Sequence, residues 1–350
     1  MAGRIPVTVV SGFLGSGKTS LLNRLLRKAS DSDSTGRIVV LMNELGDIGL
    51  DHERVMQLDG RVVVVESGCI CCAVQGDLVQ ALRQLFLDAL HKEIPPFSAV
   101  WIETTGIADP APVMYTLRYE RFLSDRYVYA GCLTVVDGQH GLHQLQHQPE
   151  AAQQVALADV LAISKSDVVS DKAVWALEQT LRQMNPSASV LCAQNIPDLP
   201  ALQHLLHSRS AGALFQGTSM WSGRSLVAQT NIHSGVGVLV MKWPQPWERS
   251  RSIKALSALL ASLGESLLRL KGRIHFREEK QACLLHAVHQ QLYPLEPVPD
   301  SMAAEGIGQN PMTVVLFIYR GLDEAVLVNK VGDLLPEGQL LMSPAGNFIQ

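Results

Sequence analysis

From the first residues to about position 210, unbroken apolar runs alternate with segments of helical spacing. The runs IPVTVV, RIVVLM, RVVVVE, SAVWIE, AGCLTVV, ADVLAIS and SASVLCA are rich in Val and Ile. A strand covered on both faces reads this way, because neither set of alternating side chains meets water. Between the runs lie segments such as TSLLNRLLRKA and GDLVQALRQLFLDALHK, which repeat apolar residues every three or four positions. The alternation predicts an α/β domain with a mostly parallel sheet over residues 1–210. Periodicity lapses over 211–230, AGALFQGTSMWSGRSLVAQT, which reads as a linker. Strands near 232–243, 267–277 and 312–320 and a helix near 250–263 predict a smaller α+β domain over 231–325. A C-terminal tail, 326–350, is expected after it.

A chain of 350 residues suits one large and one small domain. With 47% hydrophobic and 18% charged residues, packed cores are expected and disorder is not. The net charge of −4 argues against a broad nucleic-acid-binding face. No run of about 18 apolar residues is free of charges and breakers, so no membrane partner is expected. The opening MAGRIPVTVVSGFLGSGKTS is interrupted by glycines and makes a poor signal peptide. The expected compartment is the cytoplasm, where thiols stay reduced. That bears on ESGCICC, where Cys69, Cys71 and Cys72 fall in four positions. Neighbouring α-carbons lie ~3.8 Å apart, closer than the ~4.4–6.8 Å of an unstrained disulfide, so a vicinal bridge is disfavoured.

GFLGSGKT, Gly12 to Thr19, follows one strand-like run and opens a helical one. It matches G-x-x-x-x-G-K-T in the context that motif needs, and makes the fold class a P-loop NTPase. Glycines let the backbone wrap an anion with its amides pointing inward, and the helix N-terminus adds favourable dipole. Gly12, Gly15, Ser16, Gly17, Lys18, Thr19 and Ser20 are the candidate phosphate contacts. Lys18 supplies charge at the β- and γ-phosphates, and the Thr19 hydroxyl is a Mg²⁺ ligand.

Two further strand ends carry chemistry. In VLAISKSDVV, Lys165 and Asp167 hold the last positions of an N-K-x-D pattern, with Ser164 in place of Asn. An Asp there accepts from the N1 and N2 hydrogens of guanine, and the Lys stem packs on the base. Adenine offers no such donor pair, so GTP is favoured. In SAVWIETTGIADP, Glu103 ends a strand and precedes Thr104, Thr105 and Gly106. Such an acid either holds Mg²⁺ through water or polarises the attacking water, and Gly106 can bring its amide to the γ-phosphate. Lys18 and Glu103 are the catalytic candidates.

In this order GFLGSGKT, NELGDIGLD (Asn43 to Asp51), ESGCICC, ETTGIADP and the Ser-Lys-Ser-Asp turn resemble the CobW-type family of P-loop GTPases, regarded as metal chaperones or metal-insertion proteins. LLRLKGRIHF resembles the C-terminal domain of that family more loosely, so the likeness reaches to about residue 320. The resemblance implies GTP binding and slow hydrolysis with Mg²⁺. It also implies a transition metal, most often Zn²⁺, at the cysteine motif, and a client metalloprotein that receives it. Co²⁺ or Ni²⁺ insertion is the alternative, and a homodimer is left open. The Ser164 position departs from the family pattern. So does the region before the second domain, where many members carry a His-rich tract and this chain has only His233.

Cys69 to Cys72 lie beyond the carboxyl end of a strand, the edge where open α/β sheets bind ligands and where the phosphate loop also emerges. Thiolates are soft donors suited to Zn²⁺. Glu44 is the best candidate for a fourth ligand. Its segment lies where a nucleotide-sensing loop belongs, which predicts a metal site tightened by GTP and released on hydrolysis. Cys132, Cys192 and Cys283 sit alone in strand-like runs and read as core. His140, His143 and His147 read as a solvated polar helix, and His275, His286 and His289 as one face of the second sheet. The competing functions are a small-molecule kinase, which leaves the three cysteines unexplained, and a non-catalytic metal-buffering or redox-sensing module.

Overall fold

The computed structural model describes residues 4–30, 37–42, 62–66, 75–207, 235–298 and 312–342. The candidate metal ligands Glu44, Cys69, Cys71 and Cys72, the segment Asn43–Asp51, His233 and the linker 211–230 lie outside the described residues. The chain divides into two compact units, Met1–Gln179 with Ser189–His207, and Thr180–Ala188 with Ser208–Gln350.

Among the described residues the first unit holds seven strands: β1 (Ile5–Ser11), β2 (Ile38–Met42), β3 (Val62–Glu66), β4 (Ala99–Glu103), β5 (Tyr127–Asp137), β6 (Val160–Ser164) and β7 (Ser189–Cys192). They form one sheet in the order β3-β2-β4-β1-β5-β6-β7, and every described pairing is parallel. Each predicted apolar run is a strand, and the reason is visible in the packing. Val10, Val40 and Trp101 face one side, with the stripe Leu21, Leu22, Leu25 and Leu26 of α1 (Lys18–Ser30) and with α8 (Leu199–His207). Val9, Val39 and Ile102 face the other, against Leu78, Leu82 and Leu85 of α2 (Gln75–Leu90) and against α3 (Ala111–Tyr119) and α4 (Arg121–Arg126). Successive strand residues point to opposite faces, and both faces are dry.

Three more helices are described in this part of the chain: α5 (Gly141–His147), α6 (Pro149–Leu157) and α7 (Asp171–Met184). After β1 the chain passes over β4 to β2, while β5 takes the other side of β1. The carboxyl end of β1 is therefore the switch point of the sheet, where a crevice opens for ligands.

The second unit is an antiparallel sheet built from β8 (Val236–Trp243), β9 (Leu267–Ile274), β10 (Cys283–Val288), β11 (Gln291–Leu292), β12 (Glu296–Pro297), β13 (Thr313–Arg320) and β14 (Gln339–Met342). Its order is β11-β10-β9-β13-β8-β14, with β12 beside β10. Helices α9 (Arg249–Leu263) and α10 (Glu324–Leu334) pack their leucines on one face, around Trp243, Leu270, Phe317 and Leu285. The alternate positions of β9 are Arg269, Lys271 and Arg273, all buried. Two features depart from expectation. β10 was not foreseen, because His286 interrupts its apolar pattern. Residues 326–342, expected as part of a tail, instead continue α10, which Asp323 caps at the Ala325 amide, and supply β14, which pairs with β8. Among the described residues no helix is long and apolar enough to cross a membrane.

Candidate functional site

The loop from Gly12 to Gly17 leaves β1 at the switch point and enters α1 at Lys18. It turns tightly because its glycines take conformations that other residues avoid. Gly12 has φ +142°, and a Cβ there would lie 2.3 Å from the Val135 carbonyl oxygen. The Lys18 ammonium curls over the loop and donates to the carbonyls of Gly12 at 3.0 Å and Phe13 at 3.4 Å. A lysine donor curled over a glycine-rich loop at a helix N-terminus is placed where a phosphate chain would meet it. Ser20, in the first turn of α1, is exposed.

Neighbouring strands bring in the rest. β4 lies directly beside β1, and its last residue, Glu103, is buried. The Thr19 hydroxyl donates to Glu103 Oε1 at 2.7 Å. A P-loop hydroxyl joined to a strand-end carboxylate is the pair that holds Mg²⁺ against the phosphates in this class of site. The donor set is all oxygen, as that ion prefers. Around it, among the described residues, the buried hydroxyls of Ser11, Ser16 and Thr105 meet no hydrogen-bond partner. Buried polar atoms are seldom left dry. Phosphate oxygens or metal-bound water at the loop would satisfy these three, so the residues fit Mg²⁺ and nucleotide. Gly106 follows. A Cβ on it would lie 2.7 Å from both the nitrogen and the α-carbon of Leu14, so the loop after β4 rests against the phosphate loop.

On the other side of β1 stand β5 and β6. Ser164 ends β6, and its hydroxyl donates to the Ser16 carbonyl at 2.6 Å. Lys165 follows with φ +51°. Its ammonium reaches the Gly15 carbonyl at 2.9 Å and Asp137 Oδ2 at 2.7 Å. Asp137, at the end of β5, is only 2% exposed. Its other oxygen accepts from the amides of Gln139 at 2.8 Å and His140 at 3.1 Å. Burial pushes this carboxyl up, but the hydrogen bonds from Lys165, His140 and Gln139 and the Lys165 charge outweigh it, and the group sits below its ordinary value. Asp167 lies exposed in the turn that follows. The structure thus brings Lys18, Thr19, Glu103, Gly106 and Lys165 to one sheet edge.

Asp137 is a site residue that the motifs missed. Its signal was present in TVVDG, a strand-end acid before a glycine, the same placement that singled out Glu103. A Cβ on Gly138 would lie 2.5 Å from the Ser164 carbonyl, which explains the glycine.

Residues 6–192 match the family described as CobW/HypB/UreG, nucleotide-binding domain, and residues 236–335 match the Cobalamin synthesis protein cobW C-terminal domain. The chain belongs to the CobW/HypB/UreG family. It is 29% identical over 296 residues to the protein named Zinc chaperone YjiA of Escherichia coli, covering 83% of this chain and 87% of that one. It is 33% identical over 195 residues to Zinc-regulated GTPase metalloprotein activator 1 of Schizosaccharomyces pombe, covering 53% of this chain and 45% of that protein. In fold it is similar to a zinc(II)-bound crystal structure of YjiA GTPase from E. coli. The TM-score is 0.67 at 24% identity, over 95% of this chain and 99% of that one.

The remaining candidates of this CobW/HypB/UreG chain are each described within their own unit. Cys132 and Cys283 are buried and Cys192 is half-buried. Burial pushes the Cys283 thiol up, as does Glu279, which accepts from it at 3.3 Å. His140, His143 and His147 are exposed, the last two on α5, where their rings stack 4.2 Å apart. His286 lies on β10 and stacks on Tyr293, and His275 and His289 flank the neighbouring strand ends. Among the described residues no group of three or more His, Cys, Asp or Glu is placed to hold a metal ion.

Proposed function

We propose that this chain is a GTP-hydrolysing zinc chaperone that binds Zn²⁺ at Cys69, Cys71 and Cys72, with Glu44 as a further ligand, and passes it to a client metalloprotein. The observation that carries the reading is the Thr19–Glu103 hydrogen bond of 2.7 Å beside a Lys18 that already faces the loop interior. It joins the two residues a Mg²⁺-nucleotide site needs, Thr19 in the first turn of α1 and Glu103 at the end of β4, beside the switch point of the sheet.

The roles follow from placement. The amides of Gly15, Gly17 and their neighbours cradle the phosphates. Lys18 leaves the Gly12 and Phe13 carbonyls and turns to the β- and γ-phosphates. Thr19 and Glu103 hold Mg²⁺, which when bound supplies charge neutralisation on the phosphate oxygens. The existing hydrogen bond favours this metal-holding role for Glu103 over that of a general base. Lys165, steadied by Asp137, lays its stem along the base, and Asp167 accepts from its edge. β3 ends at Glu66, three residues before Cys69, and the carboxyl ends of all strands of this parallel sheet share one edge. The end of β3 at that edge supports the reading that cargo thiolates and nucleotide are neighbours, so that the γ-phosphate orders both loops. The names of the relatives support zinc as the cargo. Thiolate ligation needs reduced cysteines, which supports a cytoplasmic setting.

The deciding experiment measures Zn²⁺ affinity with a non-hydrolysable GTP analogue and Mg²⁺, with GDP, and without nucleotide. The reading expects tighter zinc in the GTP-bound form and loss of that gain in Cys71→Ser. Equal affinity in all three states would sink the coupling. In parallel, phosphate released from GTP without any phosphorylated acceptor separates this reading from kinase chemistry.

A further inference from the structure

The loop between β4 and α3 is held from α6 by two consecutive glutamines. Gln154 is 1% exposed. Its side-chain nitrogen donates to two carbonyls of that loop, Gly106 at 3.1 Å and Ala108 at 3.0 Å. The double donation fixes the orientation of the amide, since the flipped form would set its oxygen against two carbonyl oxygens. The backbone carbonyl of Gln154 accepts from the Thr134 hydroxyl of β5 at 3.1 Å, which anchors this turn of α6 to the sheet. Gln153 donates to Asp109 Oδ2 at 2.7 Å, and Asp109 Oδ1 accepts from the Ala111 amide at 2.9 Å. At its start the loop is tied by the Thr104 amide to the Val10 carbonyl at 2.9 Å.

The point that Gln154 grips is the point that meets the phosphate loop, because Gly106 is the residue packed on Leu14. Gln154 also lines a small cleft with Phe13 of the phosphate loop and with Gln144 and Leu145 of α5. A buried amide that places both its hydrogens on one loop does more than fill space. An apolar side chain would fill the same volume and leave two buried carbonyls without their donor.

We infer that Gln154 is a positioning residue that sets the register of Gly106 against the phosphate loop, and so makes the site sense a nucleoside triphosphate over a diphosphate. This rests on the GTPase reading above. The loop after β4 follows Glu103, the partner of Thr19, and its Gly106 packs on Leu14 of the phosphate loop, so a third phosphate bound there would reach it. A diphosphate is held by the glycine loop and the helix N-terminus and does not depend on Gly106.

The test uses the full chain with Gln154→Leu and Gln154→Met, which keep the size and remove the donor. Affinities for a non-hydrolysable GTP analogue and for GDP are measured with Mg²⁺, together with kcat and KM for phosphate release. The expected result is about tenfold weaker binding of the triphosphate analogue, with GDP affinity kept within about twofold. Equal losses for both nucleotides, or no loss for either, overturn the inference and leave Gln154 a packing residue. A wild-type protein that binds neither nucleotide overturns the GTPase reading and this inference with it. Should the variants not fold, the side-chain amide resonance of Gln154 in the wild-type protein decides. It must shift with the GTP analogue and stay in place with GDP, and an identical response to both overturns the inference.

Discussion

Ser164 and Ser16 are 148 residues apart in the chain and joined by a hydrogen bond of 2.6 Å, hydroxyl to carbonyl. Ser164 stands where guanine-specific P-loop proteins commonly carry Asn. The bond shows that the shorter side chain still ties the turn after β6 to the phosphate loop, with a further contact to the Val136 carbonyl at 3.3 Å. Both residues are buried, so removing the donor leaves a dry carbonyl. Ser164→Ala is expected to cost about 1–2 kcal/mol. Thermal unfolding should record this as a fall of roughly 2–4 °C per kcal/mol, and GTP affinity should fall with it. An unchanged melting point together with unchanged affinity would show that the tether is dispensable.

The Thr19–Glu103 contact makes a prediction that separates metal from nucleotide. Glu103→Gln keeps the length and an acceptor for Thr19 but removes the charge. Phosphate release at saturating GTP should fall about 10–100-fold, as for the loss of a group that holds a metal. Thr19→Ala should do the same through the hydroxyl. Nucleotide affinity measured in chelator should stay within about twofold for both variants, since the glycine loop and Lys18 are intact. A titration of Mg²⁺ against bound fluorescent nucleotide reads the difference directly. Equal affinity for Mg²⁺ in wild type and Glu103→Gln would leave Glu103 outside the metal site.

Asp137 links the turn after β6 to acid stability. Its folded carboxyl titrates below its ordinary value of 3.8. A depressed folded value means that protonation favours the unfolded chain. The contribution of Asp137 is therefore complete above about pH 3.8 and is lost as the pH falls through the lower folded value. Asp137→Asn should melt lower than wild type at neutral pH, and the gap should close as the pH drops below that range. Melting curves of both proteins between neutral and strongly acidic pH test this. A gap that stays constant would show that the charge of Asp137, and with it the Lys165 pair, contributes nothing.

The parts of the fold and site that local chemistry dictates could be read from the chain. An unbroken Val- and Ile-rich run suits a strand covered on both faces, and all seven described strands of the first sheet appear where the pattern set them. The phosphate loop was legible because Gly12, Lys18 and Thr19 must stand in that spacing to do one job. What escaped depends on tertiary placement. Asp137 gains meaning only when β5 and β6 pair and Lys165 arrives beside it. Gln154 is one of many glutamines until the loop after β4 lies across α6. In the second unit, β10 mixes Leu284 and His286 on one face, and its strand character comes from pairing with β9 along its whole length. The helix α10 was legible in hindsight from Asp323, whose carboxylate caps the first turn.

Two glycines of the phosphate loop make the last contrast, because both have positive φ and only one is crowded. Gly15 has φ +70° and nothing within 4 Å of the place a Cβ would take. Gly12 has φ +142°, with the Val135 carbonyl oxygen 2.3 Å from that place. Gly15→Ala should cost only the left-handed backbone term, roughly 1–2 kcal/mol. Its carbonyl, which accepts from Lys165, is kept, so nucleotide binding should survive. Gly12→Ala must displace β5 backbone or rebuild the loop, since a carbonyl in a buried parallel strand cannot swing aside. It should abolish nucleotide binding, and the unfolding free energy should fall by more than for Gly15→Ala, on the order of 3 kcal/mol or more. Denaturant unfolding and equilibrium nucleotide binding on the two variants, side by side, check the order. A Gly12→Ala protein that binds GTP as Gly15→Ala does would mean that the loop does not press on β5 in the working protein.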